Sequence, residues 1–92
     1  MNEKLLEKKL REKIKKMDGL ALKFIPFHFV GMPDRLILLP GARVYWVETK
    51  STGKKLRPIQ ETRQKQLKRL GFKVYKIDCQ KDLDLFLKEV QQ

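Results

Sequence analysis

Asp34, Glu48 and Lys50 stand at the edges of the most apolar part of this chain. Asp34 precedes the run Leu36-Ile37-Leu38-Leu39, and Glu48 and Lys50 close the run Val44-Tyr45-Trp46-Val47. Charges at the ends of buried strands need a partner, a metal or a catalytic task, because their desolvation is costly. Glu48 and Lys50 are two apart, so in a strand both side chains point to one face. In a neighbouring antiparallel strand Asp34 comes close to Glu48. Two carboxylates held together repel each other unless a cation intervenes. Magnesium suits them: it is hard, prefers oxygen and keeps several waters. The carbonyl of Thr49, between the two side chains, is a further candidate ligand. Lys50 beside them can position or deprotonate a water, or offset charge on a pentacovalent phosphate. The chemistry that follows is phosphodiester hydrolysis. On spacing alone, a structural salt bridge is the plainer alternative.

The elements around these residues must bring them together. Residues 3–17 read as a helix with Leu6, Leu10, Ile14 and Met17 on one face, and Asp18-Gly19 as its stop. Glu3 and Glu7 lie on or beside that apolar face. Leu20 to Ile25 reads as a short strand ended by Pro26, and Phe27-His28-Phe29-Val30 as an apolar loop. Strands follow at 34–39 and 44–50, joined by Pro40-Gly41-Ala42-Arg43 into a hairpin. A second helix runs from Pro58 to Leu70, with Gly71 as its C-cap. A strand at 72–77 with apolar residues on both sides, and a helix at 82–90, complete the order α-β-β-β-α-β-α. A helix between the third and fourth strands predicts their parallel pairing. The fold class is therefore α/β (α+β), a mixed sheet with helices packed on it.

Ninety-two residues predict one domain, 1–92, with a core thin enough to make dimerisation an expectation. Lys and Arg number 22 against 11 acidic residues, a net charge of +11. That excess draws the chain toward polyanions. No run approaches a membrane span and no signal-peptide pattern opens the sequence, so nucleic acid is the expected partner and no membrane is. The single Cys79 excludes an internal disulfide and a cysteine-based zinc site, and fits a reducing cytoplasm. Lys54, Lys55, Arg57, Arg63, Lys65, Lys68 and Arg69 are the expected phosphate contacts, with solvated surface as the alternative for each. Phe27, Phe29 and Val30 read as core or dimer contact, or else as a wedge into a DNA branch point.

Pro33-Asp34, thirteen residues, then Glu48-Thr49-Lys50 resembles the PD-(D/E)xK nuclease pattern, and the element order resembles its restriction-endonuclease-like αβββαβ core. More narrowly the chain resembles a stand-alone virus-type replication–repair nuclease (VRR-NUC) domain. Glu7, Gly31-Met32-Pro33-Asp34-Arg35, Val47-Glu48-Thr49-Lys50, Arg57-Pro58-Ile59-Gln60 and Gly71-Phe72-Lys73-Val74 carry the likeness. The resemblance implies a magnesium- or manganese-dependent DNA endonuclease. Asp34 and Glu48 would bind metal, Lys50 would act on the attacking water and Gln60 would orient groups at the site. Glu7 would add a carboxylate from the first helix, with Glu3 as its rival. The resemblance also implies a homodimer that cuts branched DNA such as Holliday junctions. The alternatives are a catalytically silent basic nucleic-acid-binding module or adaptor, and an RNA nuclease on the same fold.

Overall fold

In the computed structural model, which describes residues 1–91, the chain folds as α1 (Glu3–Lys16), β1 (Leu20–Lys23), β2 (Arg35–Leu39), β3 (Arg43–Thr49), α2 (Pro58–Arg69), β4 (Lys73–Ile77) and α3 (Gln80–Val90). This is the expected order. Local chemistry accounts for the boundaries. The Asn2 side chain caps α1 by accepting the Leu5 N–H at 2.8 Å. Leu6, Leu10 and Ile14, spaced by one turn, are fully buried. Helix α2 starts at Pro58 and ends before Gly71, whose φ of 96° takes the left-handed turn. The Phe72 N–H then satisfies the Leu67 carbonyl at 3.0 Å.

The sheet runs β1-β2-β3-β4. The first two pairings are antiparallel, and β3–β4 is parallel across the α2 connection, as expected. Alternation sorts its two faces. Ile37, Leu39, Tyr45, Val47 and Ile77 point toward α1 and α3 and form the main core with Leu6, Leu10, Ile14, Leu83, Phe86 and Val90. Trp46 points to the other face, edge-on to Phe24 at 5.0 Å and to Phe72 at 6.5 Å. Glu48 shares the parity of Trp46, so it stands on this second face.

Two boundaries and the cover of one strand differ from expectation. Strand β1 stops at Lys23, two residues short of Ile25; one more in-register bond, from the Phe24 N–H to the Asp34 carbonyl at 2.8 Å, closes the base of the 24–34 loop. Helix α3 begins at Gln80, not Asp82: Asp82 reaches back from the first turn to accept the Asp78 N–H at 3.3 Å. Strand β4 is covered fully only at its C-terminal end. Ile77 is buried toward α3, whereas Phe72 and Lys73 are exposed and Val74 is half-buried.

Candidate active site

The site is built where β2 begins and β3 ends. The register pairs Leu36 with Trp46 and Arg35 with Val47; one residue further it sets Asp34 opposite Glu48. Lys50 extends from the same face, its Nζ 3.9 Å from Glu48 Oε2. Asp34, Glu48 and Lys50 are therefore brought together as the sequence predicts. Asp34 is anchored by one neighbour: the Thr49 N–H donates to Oδ1 at 3.0 Å and the Thr49 hydroxyl to Oδ2 at 2.9 Å.

Packing charges the pair against each other. Burial, with the Asp34 charge behind it, pushes the Glu48 carboxyl up to about 7, despite the Lys50 ammonium. Burial also raises the Asp34 carboxyl above the ordinary carboxylate range, against the two hydrogen bonds from Thr49. Glu48 is only 5% exposed, and among the described residues its Oε1 has no hydrogen-bond partner.

The first helix contributes from below. Glu7 is buried, with Oε1 3.4 Å from the Thr49 hydroxyl, 3.6 Å from Arg35 Nη2 and 3.8 Å from Lys23 Nζ. Its charge is thus met by two cations and reaches Asp34 as well, whose carboxyl it helps to raise. Glu3 acts on the other carboxylate, adding to the upward push on Glu48. Glu7 is the helix carboxylate that contacts the site, at Thr49 beside Asp34.

Gln60 is buried at the N-terminus of α2 and accepts the Arg57 N–H through Oε1 at 2.8 Å. It caps its own helix and, with Arg57, lines a cleft of about 320 Å³ that also contains Asp34 and Glu48. Lys54, Lys55, Arg57, Lys65, Lys68 and Arg69 are exposed. Arg63 is otherwise engaged. Its Nε donates to the Val30 carbonyl at 2.8 Å, its Nη1 to Gln66 Oε1 at 3.0 Å, and its guanidinium covers the Phe29 ring at 3.7 Å. It pins the 24–34 loop to α2.

Two contributors escaped the sequence reading: Arg35 as a buried counter-ion and the Thr49 hydroxyl as the anchor of Asp34. Arg35 alternates with Ile37 and Leu39 on the buried face, which was the available signal that it needs a carboxylate beneath it. One further cluster, Asp78, Cys79 and Asp82, has its ligand-type atoms within 4.8 Å of one another. Hydrogen bonds at the start of α3 account for it: Asp78 Oδ2 also accepts the Gly53 N–H at 3.3 Å and lies 3.4 Å from Lys76 Nζ.

Over 90 residues the chain is 37% identical to "Putative nuclease p44" of Acyrthosiphon pisum secondary endosymbiont phage 1, covering 98% of this chain and 96% of that one. A solved VRR-NUC domain matches it with a TM-score of 0.89 at 25% identity, covering 96% of each chain. The chain belongs to the VRR-NUC nuclease family. No family model matches the sequence.

A VRR-NUC fold implies a divalent metal, and the donors here fit one. They are oxygens, the set a hard cation takes. Glu48 Oε1 is buried without a hydrogen-bond partner among the described residues. Carrying the β2–β3 register two residues beyond Arg35–Val47 puts Pro33 across from Thr49. Proline has no N–H to offer the Thr49 carbonyl.

Proposed function

We propose that this nuclease is a structure-selective endonuclease that hydrolyses phosphodiester bonds in branched DNA such as Holliday junctions, with Mg2+ as its metal and Mn2+ as a substitute. One observation carries the reading: Asp34 and Glu48 line one cleft, the Lys50 ammonium lies 3.9 Å from Glu48 Oε2, and among the described residues the buried Glu48 Oε1 has no hydrogen-bond partner. Asp34, Glu48 and the Thr49 carbonyl hold the ion. When bound, it lowers the pKa of water and offsets charge on the phosphate. Lys50 presents a proton-bearing ammonium beside Glu48 and stabilises negative charge at the phosphoryl oxygens. Thr49 fixes the Asp34 carboxylate through two hydrogen bonds. Glu7 adds a carboxylate beside Thr49 and Asp34, with Arg35 as its buried counter-ion, and Gln60 holds Arg57 at the cleft.

Exposed Lys54, Lys55, Arg57, Lys65, Lys68 and Arg69 supply a phosphate-binding surface without a base-reading module, which favours selection by DNA shape. We place the enzyme as a single-domain homodimer, with DNA, in the cytoplasm of a bacterial or virus-infected cell. No helix among the described residues is long and apolar enough to cross a membrane. The test is cleavage of linear, flapped and four-way DNA, with matched RNA, under Mg2+, Mn2+ and EDTA. Cutting of the four-way substrate with either metal and none in EDTA is expected. Full cleavage by a folded Glu48→Ala protein would overturn the mechanism.

A further inference from the structure

We propose that the loop between β1 and β2 is an aromatic finger, and that Phe27 at its crest stacks on an unpaired nucleobase beside the scissile phosphate. The inference rests on the nuclease reading above and adds to it the group that recognises non-duplex structure.

Phe27 is 91% exposed, and Ile25 and Val30 on either side are 75% and 68% exposed. Water-facing apolar area of this kind contributes free energy only when a partner covers it. The crest is held out on a fastened base. The Phe24 N–H bonds the Asp34 carbonyl at 2.8 Å and the Phe24 ring packs on Trp46. Arg63 clasps the Val30 carbonyl and the Phe29 ring from α2. Gly31, at φ 89°, packs so closely that a Cβ there would lie 2.8 Å from Ile59. The crest therefore projects from a preorganised loop, with the Phe27 ring edge-on to His28 at 4.9 Å.

Its position selects the partner. Ile25, Phe29 and Val30 line the same cleft as Asp34 and Glu48, so the finger stands at the rim of the proposed reaction site. Exposed Arg57 lines the same cleft, and the exposed Lys54 and Lys55 precede it in the chain. A second copy of this chain would bring another +11 charges toward these cations, whereas a nucleic acid brings phosphates. Within a continuous duplex, base faces are stacked and closed. At a bulge, flap or branch point one face opens, and an aromatic ring stacks on any base.

The test is binding in EDTA, which separates recognition from cleavage. The probes are a duplex with one unpaired 2-aminopurine and the same duplex fully paired. Wild-type protein is expected to change the 2-aminopurine fluorescence and to prefer the bulged probe. Phe27→Ala should lose the fluorescence change and weaken binding to the bulged probe by roughly tenfold or more, and Phe27→Trp should restore both. Bulge binding and fluorescence by Phe27→Ala equal to wild type overturn the finger. So does sedimentation showing that Phe27→Ala turns a dimer into a monomer, which would make the crest a contact between copies. Wild-type protein that binds neither probe also overturns the finger, while the nuclease reading is judged separately by cleavage of four-way DNA with metal.

Discussion

Asp34 stands directly across the sheet from Glu48, one step beyond the paired residues Arg35 and Val47. Like charges in opposed positions of an antiparallel pair destabilise it, and here burial compounds the repulsion. The metal-free site is therefore strained in favour of a cation. Glu48→Gln should remove the repulsion, abolish cleavage and raise the stability of the metal-free protein by about 1 kcal/mol at pH 8. Thermal melts in EDTA, read beside the cleavage assay, check both halves. A Glu48→Gln protein that melts below wild type would contradict the strain.

The same strain sets a pH dependence. The folded Glu48 carboxyl titrates at about 7, above its ordinary value of 4.5. The folded state thus binds a proton that the unfolded state releases earlier. Its contribution to stability is fully present below 4.5 and is lost as pH rises through 7. Metal binding runs the other way, since the ligand must shed its proton first. Mg2+ affinity should climb between pH 5.5 and about 7 and then level off. Calorimetric titration across that range checks it, and a flat profile would remove Glu48 from the ligand set.

Lys50 and Glu48 share a face and approach at 3.9 Å. Lys50→Ala should lower the cleavage rate by at least a hundredfold, within the range for losing a positioned proton-transfer or charge-stabilising group. DNA affinity should change by less than threefold, because one phosphate contact among many is removed. Single-turnover rates with separate binding isotherms distinguish the two effects. A variant that loses binding and keeps its single-turnover rate would make Lys50 an anchor only.

Much of this arrangement was legible in advance. Strict periodicity exposed α1 and the hairpin, and hairpin pairing with strand alternation was enough to gather Asp34, Glu48 and Lys50. What stayed hidden depends on contacts distant in sequence. Nothing local tells that Arg35 is buried over Glu7 from a helix 28 positions earlier. Arg63 reads as one more helix cation, yet the loop 33 residues away claims it. Phe27 has the composition of a core residue. Its exposure follows from how the loop is closed at Phe24 and Asp34, which no periodicity reports.

Gly31 links that loop to the site. Its φ of 89° lies in the left-handed region, and a Cβ would meet Ile59 Cγ1 at 2.8 Å. Gly31→Ala should cost about 2 kcal/mol or more, combining backbone strain with the steric clash. Because Asp34 follows three residues later, metal affinity should fall along with stability. Denaturant unfolding and metal titration on the same preparation test the coupling. Wild-type stability in Gly31→Ala would mean the loop relaxes freely.

Thr49 offers the sharpest separation of geometry from charge. Its hydroxyl donates to Asp34 Oδ2 at 2.9 Å, and the backbone N–H to Oδ1 is independent of the side chain. Thr49→Val keeps the shape and removes only the hydroxyl bond. A hydrogen bond to a charged group is worth about 1.5–3 kcal/mol, and it holds the Asp34 carboxyl down against burial. The variant should therefore raise the Asp34 carboxyl further, weaken Mg2+ binding by roughly tenfold or more, and shift the rise of activity with pH to higher values. Thr49→Ser, which restores the donor, should recover both. Equal metal affinity in Thr49→Val and wild type would show that the backbone N–H alone holds Asp34 in place.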